Sequence, residues 1–307
     1  MQVVRTVREL QAIADRDRAE GRRIALVPTM GALHAGHLAI VDEARKRADR
    51  VVVSIFVNPT QFNDPSDYDA YPATFEADSR KCADAGVDVV FNPTPVEMYP
   101  EGGQTWVEVS ELAKPLCGAS RPGHFRGVTT VVCKLLLAAR PHCALFGEKD
   151  YQQLAVIRRM AEDLRCGVEI VGVPTVRESD GLALSSRNVH LCPEGRRQAL
   201  ALVAALDAAE AMFSAGETSR EEILDRVIRE LDQAALGEVE YAELRDPVTL
   251  ALAPEQLHAD SLLALAVFFR ITTAPEDASR EAGRVRLIDN RVLRWDPELQ
   301  GMRRSSQ

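Results

Sequence analysis

The chain has 307 residues, a formal net charge of −9, 27% charged residues and 46% hydrophobic residues. That length holds two ordinary domains with real cores, and that balance excludes a disordered chain. The acidic total and the lack of any strongly basic long segment argue against a nucleic-acid binder, but a small phosphorylated ligand needs only local positive charge.

In chain order, Thr6-Val7-Arg8-Glu9 has the spacing of a capping box and predicts a helix with Leu10 and Ile13 on one face, ended by Gly21. RIALVPTM then reads as a short buried strand. The stretch PTMGALHAGH, Pro28 to His37, follows it, and LAIVDEARKRA continues as an amphipathic helix. RVVVSIFVNP is the next buried strand, and a polar loop leads on to a helix near 75–85 and the strand VDVVFNP. GVTTVVCKLLLAARP reads as helical despite its β-branched start. CALFGEKD is a short strand running into a polar turn, QQLAVIRRMAEDL a helix and VEIVGVPTV a last strand. This alternation predicts an α/β fold, a doubly wound parallel sheet with helices on both faces. In such sheets ligands lie beyond the carboxyl ends of the strands. Three polar motifs fall at those ends: Pro28–His37, Asn58–Phe62 and Gly147–Asp150.

After Val176 the texture changes. PEGRRQALALVAALDAAEAMF predicts one long alanine-rich helix, and Ser219-Arg220-Glu221-Glu222 caps another that runs to about Ala235. VEYAELRD, SLLALAVFFR and RVRLIDNRVL read as strands. The expected division is residues 1–175 as the α/β domain and 176–307 as a smaller α+β domain, with RESDGLALSSRN as the hinge and MRRSSQ as a frayed tail. The first ten residues carry charges and no signal-like apolar run, and no stretch approaches a membrane span, so a cytoplasmic protein with no membrane partner is expected. Cys82, Cys117, Cys133, Cys143, Cys166 and Cys192 include no CxxC and read as reduced, mostly structural thiols.

Taken one at a time, the polar residues are weak signals. His34 and His37, three apart at a helix start, share a face beside the partial positive charge and unpaired N–H groups that bind phosphate. Gly31 and Gly36 let backbone approach a ligand. A lone HxxH is more often two surface histidines at a cap, and a zinc pair would want i, i+4 spacing and a third ligand. Lys149 in FGEKD is a mobile point charge suited to phosphate, or an ordinary loop lysine. Ser185, Ser186 and Arg187 in LSSRN have the composition of a phosphate clamp, one also common in plain loops. Arg121, His124 and Arg126 in RPGHFRG suggest a mobile cationic flap. Gln61 and Gln153 carry amides that orient hydroxyls or a carboxylate without neutralising it, or are surface glutamines. GxxxxGK[ST], GxGxxG after a strand and GxSxG are all absent, which leaves phosphate chemistry by His, Lys, Ser and Arg without a covalent nucleophile.

Together, PTMGALHAGH, SIFVNPTQF, RPGHFRGV, FGEKDYQQL, VGVPTVRESDGLALSSRN and RLIDN, in that order from about Val27 to Asn290, resemble the pantoate–β-alanine ligase (pantothenate synthetase) family. The resemblance implies a Rossmann-like domain of the HIGH-type nucleotidylyltransferases with a C-terminal lid domain. His34-Ala35-Gly36-His37 is similar to the HIGH signature and, more loosely, Leu184-Ser185-Ser186-Arg187 to the KMSKS loop. The implied reaction has two steps. Pantoate and ATP give a bound pantoyl adenylate and pyrophosphate, and the amine of β-alanine then attacks to give pantothenate and AMP. Carried over by position, ATP binding falls on Met30, Gly31, Ala32, Leu33, His34, Ala35, Gly36, His37, Gly147, Glu148, Lys149, Asp150, Val176, Leu184, Ser185, Ser186 and Arg187. Pantoate binding falls on Gln61 and Gln153, and β-alanine binding on Gln61. His34, His37, Lys149 and Arg187 would carry catalysis, with His37 conventionally the proton donor. The resemblance also implies a homodimer and Mg2+ carried mainly by ATP, with no metal cage made by protein alone.

Two rivals share part of this signature. A phosphopantetheine adenylyltransferase has the HxGH site but no need of Gln61 and Gln153 in these contexts, and is usually shorter. A non-catalytic nucleotide sensor would bind ATP and release no pyrophosphate with any acid. One departure from the family is FRITTAPEDASREAGRV, which stands where the family makes a short turn before RLIDN.

Overall fold

Thr6 caps the first helix as its spacing dictates: its side chain accepts the Glu9 N–H while the Glu9 side chain accepts the Thr6 N–H. The computed structural model describes residues 1–63, 68–69, 71–270 and 283–297. Most of the inserted segment, residues 271–282, and the tail MRRSSQ lie outside them. The chain divides into two compact units, Met1–Val176 and Arg177–Gln307.

The first unit runs β1 (Gln2–Val4), α1 (Val7–Ala19), β2 (Ile24–Thr29), α2 (Ala35–Arg47), β3 (Arg50–Ile55), α3 (Phe75–Asp84), β4 (Val89–Phe91), α4 (His124–Ala139), β5 (Cys143–Gly147), α5 (Tyr151–Asp163) and β6 (Glu169–Val173). One-turn helices join some of these. The strands form a six-stranded sheet in the order β1-β4-β3-β2-β5-β6, with every pairing parallel. The doubly wound parallel sheet read from the alternation is therefore present. Strand β1 escapes the sequence reading, because three residues of QVV carry too little pattern. Strands alternate their faces. Ala25, Val27, Val51 and Val53 pack with Val41 and Ala44 of α2 and Cys82 of α3. On the opposite face Leu26 is fully buried, and so are Leu135 and Leu136 of α4 and Leu154 and Ile157 of α5.

Strand β2 is where the winding reverses: β3 lies on one side of it and β5 on the other. All three strands are parallel, so their carboxyl ends share one edge. The loops after Thr29, Ile55 and Gly147 leave the sheet there, side by side at the switch point where such sheets bind ligands.

The second unit holds α6 (Ala201–Ser214), α7 (Arg220–Leu231), β7 (Gly237–Arg245), β8 (Ser261–Arg270) and β9 (Arg284–Leu293). The strands make an antiparallel sheet, β7-β8-β9. Leu202, Leu206, Phe213, Ile223 and Val227 from the helices bury against Leu263, Leu265, Val267 and Phe269 of β8. Two expectations are corrected here. The long alanine-rich helix is two, Pro193–Gln198 and α6. Between them Leu200 N–H bonds back to Arg197 and Leu202 N–H to Ala199, tight i to i−3 bonds that interrupt the α ladder. The capped helix after Ser219 ends at Leu231, four residues short of Ala235.

Candidate active site

The segment between β2 and α2 is built by its own side chains. His34 is the N-cap of α2, with extended backbone, and its Nδ1 accepts the Gly36 N–H at 3.1 Å. His37 Nδ1 accepts the His34 N–H at 3.3 Å. The two rings lie 4.1 Å apart, tilted by 46°. The histidines thus cap the helix reciprocally. This corrects one expectation: the ring of His34 already takes a first-turn N–H that the sequence pattern assigns to phosphate. The other consequence is chemical. With Nδ1 accepting on both rings, the neutral tautomer of each carries its proton on Nε2, and Nε2–H is the group left to donate.

Burial favours the neutral form of both rings. Burial pushes His37 from 6.5 down to about 4, and a positive charge on His34 would push it the same way. Asp150 and Asp78 oppose this only in part, and the Lys149 ammonium adds to it. Burial lowers His34 too, followed by the charges of Lys149 and Lys81. Lys149, in the turn directly after β5, is therefore close enough to act electrostatically on both rings. Its ammonium lies 3.9 Å from the Asp150 carboxylate.

Gln61 sits in the turn Pro59–Gln61 after β3 and is 9% exposed, not a surface glutamine. Asn58, 1% exposed, orients it: Asn58 Nδ2 donates to Gln61 Oε1 at 3.0 Å and to the Gly127 carbonyl at 3.1 Å. Tyr99 Oη and Thr60 Oγ1 donate to Asn58 Oδ1. This leaves Gln61 Nε2 facing Met30 Sδ at 3.1 Å, so the loops after β2 and β3 meet. The turn needs Gly127 opposite it, because a Cβ there would come within 2.4 Å of the Thr60 carbonyl oxygen.

The cationic stretch Arg121–Arg126 leads into α4. His124 opens α4 and is buried, with Nδ1 2.8 Å from the Gln61 carbonyl, and the Arg126 guanidinium lies 5.0 Å over the Trp106 ring. The two glutamines of KDYQQ differ in burial. Gln152 is the buried one, its amide bound to the Cys117 N–H and the carbonyls of Leu112 and Pro115. Gln153 is half-buried at the start of α5. Val176 lies three residues past β6, and Gly147 pairs with Val173 at that same end of the sheet.

In the second unit the stretch RESDGLALSSRN makes its bonds within that unit. Arg177 grips Asp289 of β9 through two bonds, at 2.6 and 3.0 Å, and donates to the Gly181 carbonyl. Asn188 bonds Glu178 and the Ala183 carbonyl, and Arg196 pairs with Glu178 and Asp180. Within this frame Ser185 is buried and accepts the Arg187 N–H, Leu184 and Ser186 are half-buried, and Arg187 is exposed. Asn58 opens the Asn58–Phe62 motif and orients Gln61, whereas the supports Tyr99, Thr74, Asp78 and Lys81 lie outside every motif.

The family model for pantoate-beta-alanine ligase matches residues 2–292. The pantothenate synthetase of Geotalea daltonii is 48% identical over 293 residues, 95% of this chain and 99% of that one. A solved pantothenate synthetase from Thermus thermophilus is 44% identical with a TM-score of 0.86, over 96% of this chain and all of that one. A pantoate-beta-alanine ligase from Francisella tularensis, solved with beta-gamma ATP and beta-alanine, is 33% identical with a TM-score of 0.73, over 97% and 99% of the two chains. On likeness of this depth and length, the chain belongs to the pantoate-beta-alanine ligase family.

Proposed function

We propose that this chain joins (R)-pantoate to β-alanine at the expense of ATP, through a bound pantoyl adenylate, releasing pyrophosphate and then AMP. The observation that carries the reading is the reciprocally capped His34–His37 pair at the switch-point edge, with Lys149 in the turn after β5 acting on both rings.

A carboxylate is a poor electrophile toward an amine, because the group expelled would be oxide. In the first step a pantoate carboxylate oxygen attacks the α-phosphorus and pyrophosphate leaves. Charge builds on phosphate oxygens, and preorganised donors there lower the barrier most. The Nε2–H groups of His34 and His37 are such donors, and Lys149 supplies fixed positive charge. Burial favours the neutral His37 ring, whose Nε2–H is a hydrogen-bond donor for a phosphate oxygen. Pyrophosphate is a good leaving group and needs charge stabilisation more than protonation. The Gln61 amide orients pantoate and leaves a carboxylate oxygen free to attack, which an arginine fork would not. Gln153 adds a second amide to pantoate. In the second step the β-alanine amine, held beside Gln61, attacks the acyl carbon and AMP leaves.

Magnesium enters with the nucleotide, as MgATP. On this reading Met30–His37, Gly147–Asp150, Val176 and Leu184–Arg187 bind ATP, with Arg187 as a further cation. The enzyme works as a cytoplasmic homodimer. No helix among the described residues is long and apolar enough to cross a membrane.

The test is to supply MgATP, pantoate and β-alanine and identify the nucleotide product. AMP with pyrophosphate is expected, and labelled pyrophosphate should exchange into ATP with pantoate alone. ADP would mean an acyl phosphate and would overturn the assignment of His34, His37 and Lys149.

A further inference from the structure

Gly31 and Ala32 lie one after the other in the left-handed region, at φ +91° and +51°, two residues before His34. Glycine takes such backbone freely, but Ala32 holds it only where its surroundings over-determine it. Here one face of α3 does so. Asp78, 0% exposed, accepts the Ala32 N–H on Oδ2 and the Leu33 N–H on Oδ1, both at 2.8 Å. Thr74 Oγ1 donates to Asp78 Oδ2 at 2.8 Å and lies 3.1 Å from the Ala32 nitrogen. Lys81 Nζ donates to the Leu33 carbonyl. Thr74, Asp78 and Lys81 are spaced i, i+4, i+7, so they share one helix face. Thr74 is also the N-cap of α3, yet its side chain makes no capping bond. Its hydroxyl serves the loop instead of its own helix.

We propose that Asp78 is a positioning residue for adenylation: its buried carboxylate fixes the Gly31–Leu33 backbone and, through it, the aim of the His34 and His37 rings. The inference rests on the reading that those rings act on the phosphates of ATP. Three donors converge on two oxygens, which only a carboxylate can satisfy. Asparagine offers one oxygen and must turn its NH2 toward a backbone N–H. The same carboxylate faces His37 electrically and partly offsets the forces that keep that ring neutral.

The two half-reactions separate positioning from general damage. Pantoate-dependent exchange of pyrophosphate into ATP reads adenylation. Consumption of pre-formed pantoyl adenylate by β-alanine reads the second step, which makes no demand on the pyrophosphate end of the site. Misplacement of catalytic groups by about 1 Å can cost roughly a hundredfold, so exchange should fall about that much in Asp78→Asn while adenylate consumption stays within about threefold. Thr74→Val removes one hydroxyl at an exposed position. It should keep the fold and lose about tenfold in exchange with the same selectivity, and it decides the matter if Asp78→Asn does not fold. A parallel fall of both half-reactions, or unchanged exchange in Thr74→Val, overturns the proposal. His37→Gln is the control. If it keeps full exchange, the reading of the rings fails. If it loses exchange while Asp78→Asn keeps it, this inference alone fails.

Discussion

Acid should reach His37 late and at a cost in stability. The ring titrates near 4 in the folded chain against 6.5 when exposed, chiefly because it is buried beside a second imidazole 4.1 Å away. Between those values the unfolded chain binds more protons than the folded one, so stability rises with pH across that window. Above 6.5 the ring is neutral in both states and contributes nothing to the pH dependence. As pH falls from 6.5 toward 4, stability is lost progressively. A depression of this size at 1.36 kcal/mol per unit amounts to roughly 3 kcal/mol by pH 4. The assay has two arms. Nuclear magnetic resonance of labelled imidazoles should find His37 neutral at pH 7, with its proton on Nε2 and no midpoint above about pH 5, given the ordinary value near 6.5. Urea unfolding at stepped pH should show wild type losing more stability than His37→Gln between 6.5 and 4, with His34 present in both chains. The rings titrate as a pair, so the macroscopic midpoints are what the spectra report. A midpoint near 6.5 for both rings, or equal pH slopes in the two proteins, would refute the neutral-donor argument.

Other outcomes follow from the same geometry. Lys149→Ala should fold normally and lose about 3–4 kcal/mol of transition-state stabilisation, roughly a hundred- to thousandfold in pyrophosphate exchange, and near wild-type exchange would contradict its role. Gln61→Ala should raise the KM for pantoate far more than that for ATP in steady-state assays, whereas equal rises would indicate disruption of the Asn58 turn. Arg177→Met strands the buried Asp289 carboxylate and should cost about 3–5 kcal/mol in the unfolding transition of the second unit, and a loss under about 1 kcal/mol would mean that the pair is screened.

Local pattern is enough for the elements whose causes are local. The capping box at Thr6, the buried strands RIALVPTM and RVVVSIF, and the alternation that makes a parallel sheet rest on spacing and hydrophobic period, which survive without partners. The same pattern sets three polar motifs at strand ends, because a parallel sheet puts all its carboxyl ends on one edge. Which residues serve the site and which serve the scaffold depends on packing between distant segments. Gln152 and Gln153 are neighbours with the same side chain, and only the carbonyls of Leu112 and Pro115 make the first a clamp. His124 reads as a loop cation until its burial against the Gln61 turn is seen. Asp78 lies 45 residues from the Leu33 N–H it accepts, in a segment that looks like any polar helix start. Burial and long-range hydrogen bonding are properties of packed surfaces, and no local pattern encodes them. For the same reason the charge state of His37 was hidden: HxxH spacing fixes the face that the two rings share, but the desolvation that keeps them neutral comes from the fold around them.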